Sequence, residues 1–125
     1  MQISLENLRQ TDYLTFVLDQ IDSSFLGFCY DSGHHHCRTP NDDLLSMYGS
    51  KLMALHLHDN DGTDDQHRLP LDGTINWSET MRQIAGTGYS GAVALEVSNS
   101  GYEDLSVEEF LRVTFERAKR LEKLK

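Results

Sequence analysis

Four ionisable residues, each closing a short apolar run, carry the chemistry of this sequence: Glu6, Asp31, His56 and Glu96. Each run alternates as a strand does, so parity decides which face a residue joins. Leu52, Ala54, His56 and His58 share one face, while Met53, Leu55 and Leu57 share the other. The same split sets Ser4 and Glu6 against Ile3 and Leu5, and Cys29 and Asp31 against Phe28 and Tyr30. It also sets Ala92, Ala94 and Glu96 against Val93, Leu95 and Val97. A single such residue is an ordinary solvated strand end. Four at equivalent ends predict a mixed oxygen and nitrogen site for one divalent ion, Mn, Mg, Co or Zn. The set contains no thiolate, which weighs against a structural zinc. His34, His58, Asp65 and His67 form an outer ring suited to hydroxyl binding, proton shuttling or a second metal. His35 and His36 read as exposed loop residues, and Trp77 as a core residue at a helix start.

The elements that would position these residues alternate strand and helix. Strands are expected at Gln2–Asn7, Leu26–Tyr30, from Leu52 and at Gly91–Val97. Asp12 is placed to cap a helix reaching about Ile21, with Tyr13, Leu14, Val17, Leu18 and Ile21 at helical spacing. The stretch SGHHHCRTP after Asp31 reads as a loop. Asn41 or Asp42 opens a short helix through Leu44, Leu45 and Tyr48, closed by Gly49. Asn76 or Ser78 starts another through Met81 and Ile84, which stops near Gly86. Ser106 and Glu109 form a capping box, and Leu105 with Phe110 a hydrophobic staple, for a long C-terminal amphipathic helix. The order βαβαβαβα means a parallel sheet in one domain, residues 1–125.

One face of that sheet is wrong for an open doubly wound fold, which is apolar on both sides. A closed barrel has a tight interior whose last layer opens to solvent. Glu6, Asp31 and His56 also fall at equal intervals, about one strand–helix unit each. The expectation is therefore half of a (β/α)₈ barrel, with four strands and four helices, where a whole barrel takes about 250 residues. Its two bare edges must pair with a second copy, pair with a missing N-terminal partner or splay open, so a homodimer or a partner is expected to complete the barrel.

The bulk composition narrows the function. A net charge of −9 argues against tracking nucleic-acid phosphates. No apolar run approaches the roughly 20 residues of a membrane span, and MQISLENLRQ lacks a signal-peptide pattern. Cys29 reads as buried in a strand. With Cys37 it suggests two reduced thiols in a cytoplasmic protein.

Several segments together resemble the xylose isomerase-like TIM barrels. They are LEN at Leu5–Asn7, DSGH at Asp31–His34, HLHDNDG followed by D-x-H at His56–His67, GTINW at Gly73–Trp77 and GYSGAVALEV at Gly88–Val97. That superfamily holds sugar-phosphate isomerases and epimerases together with endonuclease IV-type apurinic endonucleases. The resemblance covers nearly the whole chain but corresponds only to the C-terminal half of the family's barrel, strands five to eight. It implies a metal site on Glu6, Asp31, His56 and Glu96, the residues that parity selects. In some ketose epimerases the third ligand is the second histidine of the H-x-H pair, here His58, whereas the HxxDN form favours His56. His34 resembles a substrate-binding histidine. Asp65 and His67 resemble a D-x-H that binds an additional zinc in the endonucleases, although sugar-type members carry it too.

The leading expectation is a metal-dependent sugar or sugar-phosphate isomerase or epimerase. Glu6 and Glu96 would move the proton next to the carbonyl. His34, His58, Asp65 and His67 would bind the substrate. The alternatives are a zinc phosphodiesterase of the apurinic endonuclease type, or a catalytically silent half-barrel.

Overall fold

The computed structural model describes residues 1–125. Three parallel strands, β1 (Ile3–Glu6), β2 (Leu26–Asp31) and β3 (Leu52–His56), lie in sequence order in one open sheet. Helix α1 (Thr11–Gln20) connects β1 to β2. Helices α2 (Ser32–Arg38) and α3 (Leu44–Tyr48), with a 3₁₀ turn at Gly49–Lys51, connect β2 to β3. Helix α4 (Trp77–Gly86) and the long α5 (Val107–Glu122) complete the chain. Parallel strands in one open sheet, joined by helical crossovers, make a partial TIM barrel.

Strand parity decides the packing. The outward residues Phe28, Tyr30, Leu55 and Leu57 join Leu14 and Leu18 of α1, Leu44, Leu45 and Tyr48 of α3, and Trp77, Met81 and Ile84 of α4 in one core. Leu121 of α5 closes it. Phe28 sits edge-on to Tyr30 and Tyr48, with ring centroids 6.1 and 6.2 Å apart, a favoured aromatic arrangement. Trp77 lies in the core at the start of its helix, as its position suggests. No helix is long and apolar enough to cross a membrane.

The structure departs from the sequence reading at several elements. The expected fourth strand is reduced to one parallel bridge, Leu57 to Leu95, made by Leu57 N–H to Ala94 O at 3.0 Å and Glu96 N–H to Leu57 O at 3.1 Å. Beyond Leu57 the chain turns to pair Asp59 with Arg68 antiparallel, so the Gly91–Val97 segment has nothing further to pair with on that side. The stretch after Asp31 is a helix, not a loop. The Asp31 side chain accepts from His34 N–H at 2.7 Å and serves as the N-cap of α2. His35 and His36 therefore sit on α2. His35 packs between the Tyr30 hydroxyl, 2.8 Å from its Nδ1, and the Asp42 carbonyl, 2.9 Å from its Nε2. His36 Nε2 meets the Thr74 hydroxyl at 2.8 Å.

Four caps are also settled. Asp12 lies in the first turn of α1, and the N-cap is Gln10, whose side chain makes no capping bond. The cap of α3 is Asp43, one residue beyond the expected pair. Asn76 caps α4, and the Ser106–Glu109 capping box on α5 is fully formed. The helices number five rather than four, because the crossover from β2 to β3 contains two.

Candidate metal centre

The strand register builds the centre. Asp31 is the register partner of His56, and Glu6 that of Cys29. The Leu57–Leu95 bridge then brings Glu96 alongside. Ligand atoms of Glu6, Asp31, His56 and Glu96 all lie within 4.8 Å of one another. His56 Nδ1 is 2.9 Å from Glu6 Oε2 and 2.8 Å from Glu96 Oε2. That nitrogen is sealed from solvent, although 40% of the side chain is exposed, and it makes no well-formed hydrogen bond. Three carboxylates at this separation repel one another unless a cation lies among them. An enclosed, unbonded imidazole nitrogen ringed by carboxylate oxygens is a donor set that fits a divalent ion.

A buried polar scaffold holds these groups in place. Asn7, fully buried, fastens β1 to β2. Its amide donates to Asp31 O at 2.9 Å and its carbonyl accepts from Asp31 N–H at 2.8 Å. His58 Nε2 lies 3.1 and 3.3 Å from the two oxygens of Asp31. Burial works to raise the Asp31 pKa, but the hydrogen bond and charge of His58 and the His34 N–H outweigh it and hold the carboxyl below its usual range.

His58, expected among the substrate-contacting residues, lies fully buried beneath His67 and beside Asp31. It is 0% exposed, and its backbone is clamped on both sides by the Ser32 hydroxyl at 2.8 and 3.1 Å. Gly33 makes the room, since a Cβ there would come within 1.9 Å of His58 Cε1. Its ring meets Asp31 and lies 3.7 Å from Asp65 Oδ1.

His34, Asp65 and His67 do gather at the mouth. His34 Nδ1 is 3.0 Å from Glu6 Oε1, and His34 Nε2 is 3.0 Å from Asp65 Oδ2. His67 Nε2 is 3.4 Å from Asp65 Oδ1, and the three residues' ligand atoms again fall within 4.8 Å. His67 stacks on His58 at 3.9 Å from a left-handed backbone, φ 48°. Burial alone would lower its pKa. The hydrogen bond to the Glu96 carbonyl and the charges of Asp65, Glu96 and Asp31 raise it instead. A cleft of about 530 Å³ opens beside this group, lined by Glu6, Arg9, Tyr13, His34, Arg38 and Asp65.

One organising residue, the aspartate of the HxxDN segment, has no role in the sequence reading. Asp59, fully buried, accepts from Trp77 Nε1 at 2.7 Å, Leu71 N–H at 2.9 Å, Asn60 N–H at 3.0 Å and Ile75 N–H at 3.2 Å. It pins the loop carrying Asp65 and His67 to the start of α4. The only sequence signal was an acidic residue directly after a buried strand end.

A family profile described as xylose isomerase-like TIM barrel matches residues 1–121. An inosose isomerase from Halalkalibacterium halodurans is 29% identical over 103 residues, 77% of this chain and 36% of that protein. A fructoselysine 3-epimerase from Escherichia coli O157:H7 is 41% identical over 58 residues, 46% of this chain and 21% of that protein. The crystal structure of the IolI protein with a bound zinc atom superposes with a TM-score of 0.76 at 20% identity. It covers 97% of this chain and 47% of that one. At that identity the likeness speaks for the fold. The chain spans less than half the length of each of these proteins. With the motifs and the partial barrel already in place, the profile match shows that the chain belongs to the xylose isomerase-like TIM barrel family.

Proposed function

We propose that this chain carries the metal centre of a sugar or sugar-phosphate isomerase or epimerase, with Glu6, Asp31, His56 and Glu96 as its ligands. The observation that carries the reading is the sealed, unbonded His56 Nδ1 between the carboxylates of Glu6 and Glu96. The isomerase and epimerase relatives support the reaction class. A divalent ion held there would supply Lewis acidity, favouring charge on a substrate oxygen next to the carbon that loses its proton.

The chain's own residues would do the rest. Glu6 and Glu96 approach His56 Nδ1 with one oxygen each. Each carboxylate has a second oxygen that would take or return a proton beside the carbonyl. On Glu6 that oxygen is held by His34 Nδ1. His34, Asp65 and His67 would bind substrate hydroxyls from the cleft, and His58 would keep Asp31 ionised and aimed. Glu6→Gln and Glu96→Gln are expected to lose metal-dependent deuterium exchange at the carbon next to the carbonyl of ketose substrates. Full exchange in both variants would remove the two residues from the proton-transfer role.

A second reading is phosphodiester cleavage at abasic DNA. It draws on the compact His34–Asp65–His67 group, which would hold an additional ion. The net charge of −9 opposes it. Chelator-sensitive incision of an abasic duplex would select this reading instead.

A further inference from the structure

Beneath the four-residue centre lies a layer with different donor chemistry. Cys29 is the register partner of Glu6 on one side and of Ala54 on the other. Ala54 is too small to screen it from His56, two residues further along the same face. Cys29 is 3% exposed, a free thiol with no disulfide. Ligand atoms of Glu6, Cys29 and His56 all lie within 4.8 Å of one another, as tight a limit as that of the outer set. His56, whose Nδ1 is sealed and unbonded, belongs to both groups. The two sets share Glu6 and His56, so they cannot both be filled.

We propose that Glu6, Cys29 and His56 form an inner, sulfur-containing metal site, and that the softness of the ion decides which set holds it. Hard ions such as Mg²⁺ and Mn²⁺ prefer all-oxygen or oxygen-rich surroundings and stay on the outer set. Thiophilic Cd²⁺, and Zn²⁺ to a lesser degree, is drawn to the inner one. When the sulfur–metal bond forms, the thiol proton leaves to solvent and no oxidation state changes. A soft ion bound there withdraws Glu6 and His56 from the outer set, so it acts as a competitive inhibitor of Mn²⁺ loading. This inference rests on the metal-centre reading above.

The test is ultraviolet absorption of the full chain titrated with Cd²⁺, in wild type and in Cys37→Ser, which leaves Cys29 as the only thiol. The expected result is a sulfur-to-cadmium charge-transfer band that saturates at one ion per chain in both proteins and is absent in Cys29→Ser and Cys29→Ala. Mn²⁺ affinity, read by electron paramagnetic resonance, should be unchanged in those two variants, while preference for Cd²⁺ over Mn²⁺ falls about tenfold or more. Retained Mn²⁺ binding would also show that they fold. Stoichiometric Cd²⁺ binding without the band in Cys37→Ser overturns the inner site and leaves the outer centre standing. Failure of wild type to bind Cd²⁺, Mn²⁺ or Co²⁺ overturns both.

Discussion

The side chains around Asp31 show how much of the candidate metal centre rests on residues outside the four converging groups. Asp31 is aimed by Asn7 through its backbone and by His58 and the His34 N–H through its carboxylate. Gly33 is required because only hydrogen leaves space for His58. Glu6, Asp31, His56 and Glu96 were legible in the sequence because strand parity is a strict rule with period two. The burial of His58 was not, because parity puts it on the same face as His56 and says nothing about how deeply the strand is buried there. His35 gives a titration that can be followed apart from the centre. Its burial holds the imidazole pKa below the ordinary 6.5. Between that value and the lowered one the unfolded chain binds a proton that the folded chain does not. The stability that neutral His35 contributes is therefore present above pH 6.5 and is lost as the pH falls through it. The stability difference between wild type and His35→Gln, measured by urea unfolding, should shrink from pH 7.5 to pH 5.5. A difference independent of pH would refute this account.

At the scale of elements, the successes and failures divide by the range of the interaction. The capping box of α5 and the Asn76 cap of α4 are local patterns and were readable. Helix α2 was not, since Gly33 and three consecutive histidines offer no apolar period, and its cap, Asp31, doubles as a strand end. The fourth strand failed for a different reason. Alternation in Gly91–Val97 is genuine, but a ladder requires a neighbour, and only Leu57 supplies one. The Asp59 hub is long-range by construction, because two of its donors come from residues 75 and 77. Removing the carboxylate in Asp59→Ala leaves four donors without their acceptor, two of them buried and two half-buried. This should cost about 3 kcal/mol or more in chemical unfolding, as hydrogen bonds to a charged group are worth about 1.5–3 kcal/mol each. A loss below about 1 kcal/mol would mean that water replaces the carboxylate and that the hub does not hold the loop.

At the scale of the chain, residues 1–125 form an open sheet with apolar surface flanking it on both sides. Ile3, Phe16 and Phe25 are exposed near β1, and Val107, Leu111 and Phe115 form an exposed stripe on α5. Strand edges left bare beside such surface favour association. A second copy that joined the β1 edge of one protomer to the Leu95 edge of the other, twice, would cover both edges and bring two metal sets to one mouth. Light scattering after size exclusion should report a dimer, and Leu111→Glu with Phe115→Glu should return it to monomer. A wild-type monomer that still binds metal would show that the centre stands without closure.

The claim on which the rest depends is that four strand ends converge on one ion. Elemental mass spectrometry of protein purified without chelator, then soaked in Mn²⁺ or Zn²⁺ and desalted, measures it directly. The account predicts about one divalent ion per chain in wild type and a loss of at least nine-tenths of it in His56→Ala. No bound ion in wild type, or an undiminished ion in His56→Ala, would contradict it.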